Sequence, residues 1–342
     1  MSPSRIGFLA FVEHSGVSGT RSEGLEEGFR LFDLAERLGY DAGWVRTRHL
    51  EPYLSAPLPF FAALAQRTDR ISFGTSVVPI RYENPVRLAE EAATTDLLTG
   101  GRLHLGLSAG YANGEALFGP VYGETDRPFD EEVELRLRRF LAAVRGETLA
   151  VTETDSAVAP AGTALTAQPL SPTLPERLSY GAGRVASAVR TGSLGLGLQL
   201  STLATELTDL GFENYQAKQI EEYQAAHLAA TGRFGTVSVG RMILPLLRES
   251  DREDYAFLLE RDRQRQAARG TPGAPPIDFG IVHSGSPDQI IASLRTDVAL
   301  AAADELVVVL PFGHSPAVSR RILETVAETV LPGLPDDPHD RS

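Results

Sequence analysis

The sequence contains no cysteine, a single lysine, one tryptophan and two methionines among its 342 residues. Without cysteine there is no thiol nucleophile, disulfide, zinc ribbon or thioether-linked cofactor. Schiff-base chemistry would have to use Lys218, which lies in the polar helix start Glu213-Asn214-Tyr215-Gln216-Ala217-Lys218-Gln219. A desolvated, low-pKa amine is not expected there. The histidines are His14, His49, His104, His227, His283, His314 and His339, and no two have the H-x-H or H-E-x-x-H spacing of a metal site. No run approaches the roughly 18 apolar residues of a membrane span. Met1-Ser2-Pro3-Ser4-Arg5 leads straight into an apolar segment without the marks of a signal or transit peptide. A cytoplasmic protein is expected. The 32 basic residues are outnumbered by 45 acidic ones, a net charge of −13. That balance supplies no basic patch for nucleic acid, and an acidic surface favours solubility. An enzyme of this composition would take its hard chemistry from a bound organic cofactor.

What is present is an alternation of strand and helix patterns almost from end to end. Ile6 to Val12 is a short apolar run. Leu25, Phe29, Phe32, Ala35 and Leu38 follow at helical spacing, with Thr20 and Glu23 spaced as a capping box and Gly39 as the stop. Ala42 to Val45 reads as a second strand, residues 57–67 as a helix, and Ile71 to Val78 as a third strand. Pro85 opens a helix whose inward positions are Val86, Leu88, Ala89, Ala92, Ala93 and Leu97, before a fourth strand over Leu103 to Leu107. Residues 146–176, with Pro160, Pro169, Pro172 and Pro175, break the rhythm and read as an irregular excursion. The pattern resumes with strands over 177–180, 194–200 and 237–244, helices after the first two, and a charged helix from 250. A flexible loop is expected over 266–276. Ser286-Pro287-Asp288-Gln289 combines an N-cap, a first-turn proline and a capping-box glutamine. Leu306 to Leu310 is an unbroken apolar strand, and a helix after Ser315-Pro316 faces Val318, Ile322, Val326 and Val330 inward, leaving 333–342 as a frayed tail. This βα repetition predicts one α/β domain over 1–342, a single (β/α)8 TIM barrel with the excursion between strands 4 and 5 and the mobile loop before strand 8. A doubly wound open sheet is the alternative; it would ask for a G-x-G-x-x-G after the first strand, and Phe11 to Gly24 holds none.

A barrel of this kind carries its chemistry at the C-terminal ends of the strands. That rule selects Glu13-His14, Arg46-Thr47-Arg48-His49, Ser76 to Tyr82, Ser108 to Asn113 and Gly181-Ala182-Gly183-Arg184. His49 beside Arg48 would be held neutral by the adjacent positive charge; the alternative is a structural histidine hydrogen-bonded under the loop. His104 falls within a strand and reads as core. In Tyr180-Gly181-Ala182-Gly183-Arg184-Val185-Ala186-Ser187, glycines permit close backbone approach, a helix start offers amide donors, and Arg184 and Ser187 stand one turn apart. Together these suit a phosphate, although short glycine turns are common.

Two blocks carry a family resemblance: Asn84-Pro85-Val86-Arg87-Leu88-Ala89-Glu90-Glu91, and Asp96-Leu97-Leu98-Thr99-Gly100-Gly101-Arg102-Leu103-His104-Leu105-Gly106. With Glu36-Arg37-Leu38-Gly39-Tyr40-Asp41, Trp44, the Gly183 to Ser187 turn, Gly285-Ser286-Pro287 and Leu331-Pro332, the chain resembles the bacterial luciferase-like flavin-dependent monooxygenases over nearly its whole length. The resemblance implies the same barrel, binding reduced FMN, or a deazaflavin in one branch, over the barrel mouth. It implies a non-proline cis peptide at Ser76-Val77 against the flavin ring and Ser108 near the reactive edge, with Gly110 and Tyr111 beside it. Ala182, Gly183, Arg184 and Ser187 would hold the phosphate. His49 and Arg48 would be the catalytic pair, although the family often has a histidine where Arg48 stands. Arginine stays protonated, so it would stabilise negative charge rather than act as a base. Ala109 occupies a place where luciferases carry a phosphate-binding arginine. The implied activity is monooxygenation of a small organic substrate with a separate reductase, in a homodimer. Residues 250–276 would shield the site from water. Deazaflavin-dependent hydride transfer and flavin binding without turnover are the alternatives.

Overall fold

The computed structural model describes residues 3–14, 22–110, 112–157, 159–271 and 277–334. Runs without polar alternation must be covered on both faces, and Ala42-Gly43-Trp44-Val45 and Glu305-Leu306-Val307-Val308-Val309 are accordingly buried at every position. They are two of the barrel strands β1 (Arg5–Ala10), β2 (Ala42–Val45), β3 (Ser72–Thr75), β4 (Leu103–Ser108), β5 (Leu178–Gly181), β6 (Gly197–Leu200), β7 (Val237–Arg241) and β8 (Glu305–Val309). Each pairs in parallel with the next. β8 then returns to β1, with Arg5 opposite Glu305 and Leu9 opposite Val309. This is a closed eight-stranded parallel barrel with helices outside it, the TIM-type fold expected from the repetition. Past the end of β3, Val78–Pro79 pairs with the end of β4, Pro79 opposite Ser108.

The helices are α1 (Glu23–Arg37), α2 (Pro57–Leu64), α3 (Pro85–Leu98), α4 (Glu115–Tyr122), α5 (Phe129–Val144), α6 (Val185–Ser193), α7 (Phe212–Thr231), α8 (Glu249–Ala268), α9 (Pro287–Arg295) and α10 (Pro316–Thr325). Their starts follow local side-chain chemistry. Asn84 Oδ1 accepts from the amides of Val86 and Arg87 at 3.1 Å, with Pro85 in the first turn, and Ser286 and Gln289 complete both halves of the expected capping box. At α1 the cap is Ser22 rather than Thr20, which lies outside the described residues; the Ser22 hydroxyl accepts from Leu25 N at 3.4 Å. Leu97, expected inward, is exposed. The helix through Val318, Ile322, Val326 and Val330 keeps all four buried by changing form: α10 stops at Thr325 and Val326–Val330 is a π-turn. Four-residue spacing drifts around a 3.6-residue helix, and the wider turn offsets that drift.

The excursion over 146–176 contains a small antiparallel hairpin, Ala150–Val151 against Ala164–Leu165. It is tied back to α3 by buried Asp96, which accepts from Ser171 Oγ at 2.5 Å and from Arg177 Nη2 at 2.7 Å. Residues 266–268 of the expected loop are the end of α8, while 272–276, and 335–342 of the tail, lie outside the described residues.

Of the three apolar clusters among the described residues, two result from closure. The larger joins the outer faces of the strands to the helices; the smaller, Leu9, Ala42, Trp44, Val307 and Val309, fills the barrel interior. Gly74 opposes Trp44, and a Cβ there would lie 2.3 Å from the His104 carbonyl oxygen. The indole Nε1 donates to Glu305 Oε1 at 3.2 Å, and the His104 ring meets Trp44 edge-on at 5.8 Å. His104 is therefore part of the interior, as expected. Burial pushes the Glu305 carboxyl up to about 7. Burial, reinforced by Arg5 and Arg177, pushes His104 down to about 3. Because Glu305 is raised above its unfolded value, ionisation costs stability as pH rises from about 4.5 to about 7. Glu305→Gln is expected to raise unfolding free energy at pH 8 by on the order of 2 kcal/mol relative to wild type, with the gain shrinking towards pH 4.5. Urea unfolding at the two pH values measures it, and a gain independent of pH would contradict the assignment.

Candidate functional site

At the C-terminal mouth of the barrel a cavity of about 370 Å³ collects the ends of several strands, a volume within the range of small-molecule sites. Of the residues proposed from sequence, Arg48, His49, Ser76, Val77, Ser108, Gly110, Ala182 and Gly183 line it. Arg184 and Ser187 do not, although they follow directly at the start of α6; Arg184 is exposed and Ser187 half-buried. Tyr111 lies outside the described residues. His14 is not in the lining: its Nε2 bonds to the Tyr53 carbonyl at 2.8 Å, a structural role.

The Ser76–Val77 peptide is cis, as the resemblance implies. The backbone before it is held from two sides. Thr75 Oγ1 donates to Gly106 O at 2.8 Å and accepts from Gly106 N at 3.0 Å. Gln199 Nε2, from β6, donates to Thr75 O at 3.2 Å and to Ser179 Oγ at 2.9 Å. Gln199 faces the cavity, and its Oε1, like Thr47 Oγ1, is buried without a hydrogen-bond partner among the described residues. Buried polar atoms of this kind are normally satisfied, so the cavity offers an acceptor and a hydroxyl to whatever occupies it. Gln199 is legible in the sequence as the polar residue in the otherwise apolar strand Leu194 to Leu200.

The glycine turn is built for close approach. A Cβ on Gly183 would lie 2.6 Å from Thr205 Oγ1, and one on Gly181 would lie 3.2 Å from Val77. The start of α6 is not wholly open, however: Val185 N donates to the Tyr215 hydroxyl at 3.2 Å, and that hydroxyl donates to Glu206 at 2.6 Å. One of the amides expected to be free is thus occupied, with a carboxylate close by.

The cavity is also lined by His49, whose ring packs against Tyr122 at 4.9 Å and Tyr82 at 6.4 Å. Its Nε2 lies 3.6 Å from Glu83 Oε1. The imidazole is held below its ordinary value, as expected, but burial is the cause rather than the charge of Arg48. Burial also pushes Glu83 up to about 7, with Glu91 adding to the rise and Arg136 opposing it. Arg48 reaches the cavity with its Nε 3.4 Å from Glu51. Arg46 lies with its guanidinium 5.9 Å from the Phe11 ring centre.

Ser108 lies in Gly106-Leu107-Ser108-Ala109-Gly110, which has the spacing of a hydrolase nucleophile elbow. Its hydroxyl accepts from Gly110 N at 3.3 Å. No hydrogen bond joins it to a histidine among the described residues, so the triad geometry is not formed there.

Of the segment 250–276 expected to cover the mouth, 272–276 lie outside the described residues. Among the described residues none of that segment lines the cavity, and Phe11, Phe118 and Phe312 do. Phe118 belongs to α4, a helix capped by glycine at both ends and containing Pro120. Fully buried Arg81 clamps both ends of it, Nη2 pairing with Glu115 at the start and donating to the Gly123 carbonyl at 3.1 Å.

A model of the family described as luciferase-like monooxygenase matches residues 4–305. The chain belongs to that family. Among curated relatives, the oxygenase component of a flavin-dependent trigonelline monooxygenase from Acinetobacter baylyi is 36% identical over 108 residues, 31% of this chain and 30% of that one. An F420-dependent glucose-6-phosphate dehydrogenase from Microbacterium testaceum is 32% identical over 134 residues, 37% of each chain. These alignments span only about a third of the relatives' length. The fold match is complete. The monooxygenase RslO1 from Streptomyces bottropensis superposes with a TM-score of 0.72 at 18% identity, covering 96% of this chain and 99% of that one. The oxygenating constituent of 3,6-diketocamphane monooxygenase from Pseudomonas putida, in complex with FMN, gives 0.70 at 17% identity, covering 98% and 100%. The curated relatives from Acinetobacter baylyi and Microbacterium testaceum are flavin-dependent and F420-dependent enzymes, respectively.

Removing the Arg81 guanidinium would leave Glu115 and the Gly123 carbonyl without it and release both ends of α4. Arg81→Met is expected to speed amide exchange over residues 115–122 by at least tenfold, about 1.4 kcal/mol of local opening. Unchanged protection of that segment would contradict the clamp.

Proposed function

We propose that the protein is a flavin-dependent monooxygenase that receives reduced FMN from a separate reductase and uses oxygen to oxygenate a small organic substrate, acting in the cytoplasm as a homodimer. The observation that carries this reading is the convergence on one cavity of His49, Arg48, the Ser76–Val77 cis peptide, Ser108, Gly110 and the Ala182-Gly183 turn. The residues present suit the group: apolar walls from Val77, Leu200 and Leu203 for a flat ring, unsatisfied polar atoms on Thr47 and Gln199 for its edges, and a glycine at 183 where a Cβ would lie 2.6 Å from Thr205 Oγ1. In this reading Ser76, Val77, Ser108 and Gly110 hold the ring, and Ala182, Gly183, Arg184 and Ser187 take the phosphate. Tyr111 is kept with the first group on the resemblance alone.

Reduced flavin supplies the electrons that activate oxygen. The chain supplies the rest: Phe11, Phe118 and Phe312 limit water, neutral His49 donates or accepts a proton, and Arg48 offers a fixed positive charge for developing negative charge.

A second reading, hydride transfer with a deazaflavin, is favoured by the F420-dependent relative. Fluorescence titration with FMN and with deazaflavin shows which cofactor binds, and anaerobic turnover with each separates the two reactions, because deazaflavin does not activate oxygen. Gly183→Val is expected to weaken binding of the preferred cofactor at least tenfold, about 1.4 kcal/mol. The double variant Arg48→Ala with His49→Ala should divert consumed oxygen to hydrogen peroxide. Unaltered partition between product and peroxide would remove these two residues from the reaction, and tight FMN binding without oxygen consumption in the presence of a reductase would make the protein a flavin carrier.

A further inference from the structure

Behind His49, away from the cavity, stands a carboxylate that no motif on the sequence singles out. Glu83 does not line the cavity, whereas His49 does. Its backbone is fixed on both sides. The Glu83 carbonyl accepts from Arg136 Nη1 of α5 at 2.6 Å, and the next residue, Asn84, caps α3. Glu83 thus sits between a 3-10 turn over Ile80–Tyr82 and the start of α3, which fixes where its side chain begins. Oε1 lies 3.6 Å from His49 Nε2, which is buried with no hydrogen-bond partner among the described residues. The His49 side chain is 10% exposed and that of Glu83 26%, so the pair meets at the back of the site with little solvent between.

The structure assigns Glu83 as the positioning residue of His49: it faces Nε2, so that Nε2 carries the proton in the neutral ring and Nδ1 keeps the lone pair. A neutral imidazole has one donor and one acceptor nitrogen, and an anionic oxygen beside one nitrogen selects which is which. Above about pH 7, where Glu83 is ionised, a proton taken up at Nδ1 leaves Nε2–H facing the carboxylate, and its release returns the ring to its starting tautomer. The rings of Tyr82 and Tyr122 restrict rotation that would exchange the two nitrogens.

The other groups around the pair do not replace Glu83. Arg136 is engaged with Glu132 at 2.7 Å, and Arg48 lies beside Glu51. Glu91 raises the Glu83 carboxyl, and Tyr122 is itself raised by burial and by Glu83. With Glu83 up near 7 by burial and His49 held down by burial, the proton taken up as pH falls through 7 goes to the carboxyl first.

The test is a nitrogen-15 NMR pH titration of the His49 ring in the full chain, comparing wild type, Glu83→Gln and Glu83→Asp. In wild type the Nε2-protonated tautomer and a step near pH 7 are expected on the His49 resonances. Glu83→Gln should abolish that step while remaining folded, since the amide fills the same volume, and Glu83→Asp should restore it at a displaced pH. Identical His49 curves in wild type and Glu83→Gln would overturn the assignment, as would a protonated Nδ1 in wild type.

The inference rests on the proposed flavin chemistry only for its kinetic arm. There, the protein loaded with FMN and photoreduced is mixed with oxygenated buffer, and the rate of hydrogen peroxide appearance is followed against pH. Loss of the inflection near pH 7 in Glu83→Gln supports both readings. A changed NMR titration with an unmoved kinetic profile upholds the pairing of Glu83 with His49 and removes His49 from the flavin reaction.

Discussion

Pairing of the last barrel strand with the first, Arg5 against Glu305 through Leu9 against Val309, is the constraint on which every other feature depends. An open sheet of the same strands would leave two edges and would spread the strand ends along a line. Closure points all eight C-terminal ends at one mouth, and only then do residues as distant in sequence as 49, 108 and 183 share a cavity. Closure also sets the interior volume, which one tryptophan and a few aliphatic residues fill. The cost is a carboxyl and an imidazole enclosed beside that indole, each driven towards its neutral form by burial.

The same physics operates at both ends of the barrel with different consequences. Near Trp44, neutralised Glu305 and His104 belong to the packed interior and affect stability. At the mouth, His49 is neutral for the same reason, yet it borders a cavity and has a carboxylate behind it. Burial alone therefore does not mark a functional histidine. What separates His49 from His104 is open space on one side and a charged partner on the other.

Support for the mouth comes from residues with no motif of their own. Gln199 and Thr75 hold the backbone before the cis peptide, Arg81 holds α4 at both ends, and α4 brings Phe118 to the cavity and Tyr122 to His49. These contacts link β3, β4, β6 and the segment after β4, so the rigidity of the site is a property of the assembled barrel rather than of any loop.

Strand and helix periodicity, caps at Asn84 and Ser286, and the apolar run ending at Leu310 were all legible, because each depends on residues within a turn or two of one another. The rule that barrel strands end in functional loops then located Arg48, His49, Ser76, Val77, Ser108, Gly110 and the 181–183 turn. The sequence could not show that Ser22 rather than Thr20 caps α1, or that a π-turn keeps Val326 and Val330 inward, because backbone energies at such points are settled by packing. Nor could it show that three phenylalanines line the mouth, that Glu206 and Tyr215 crowd the start of α6, or that Glu83 faces His49. Those juxtapositions join residues tens to hundreds of positions apart, and distance in space between such residues is fixed only once the ring of strands has closed.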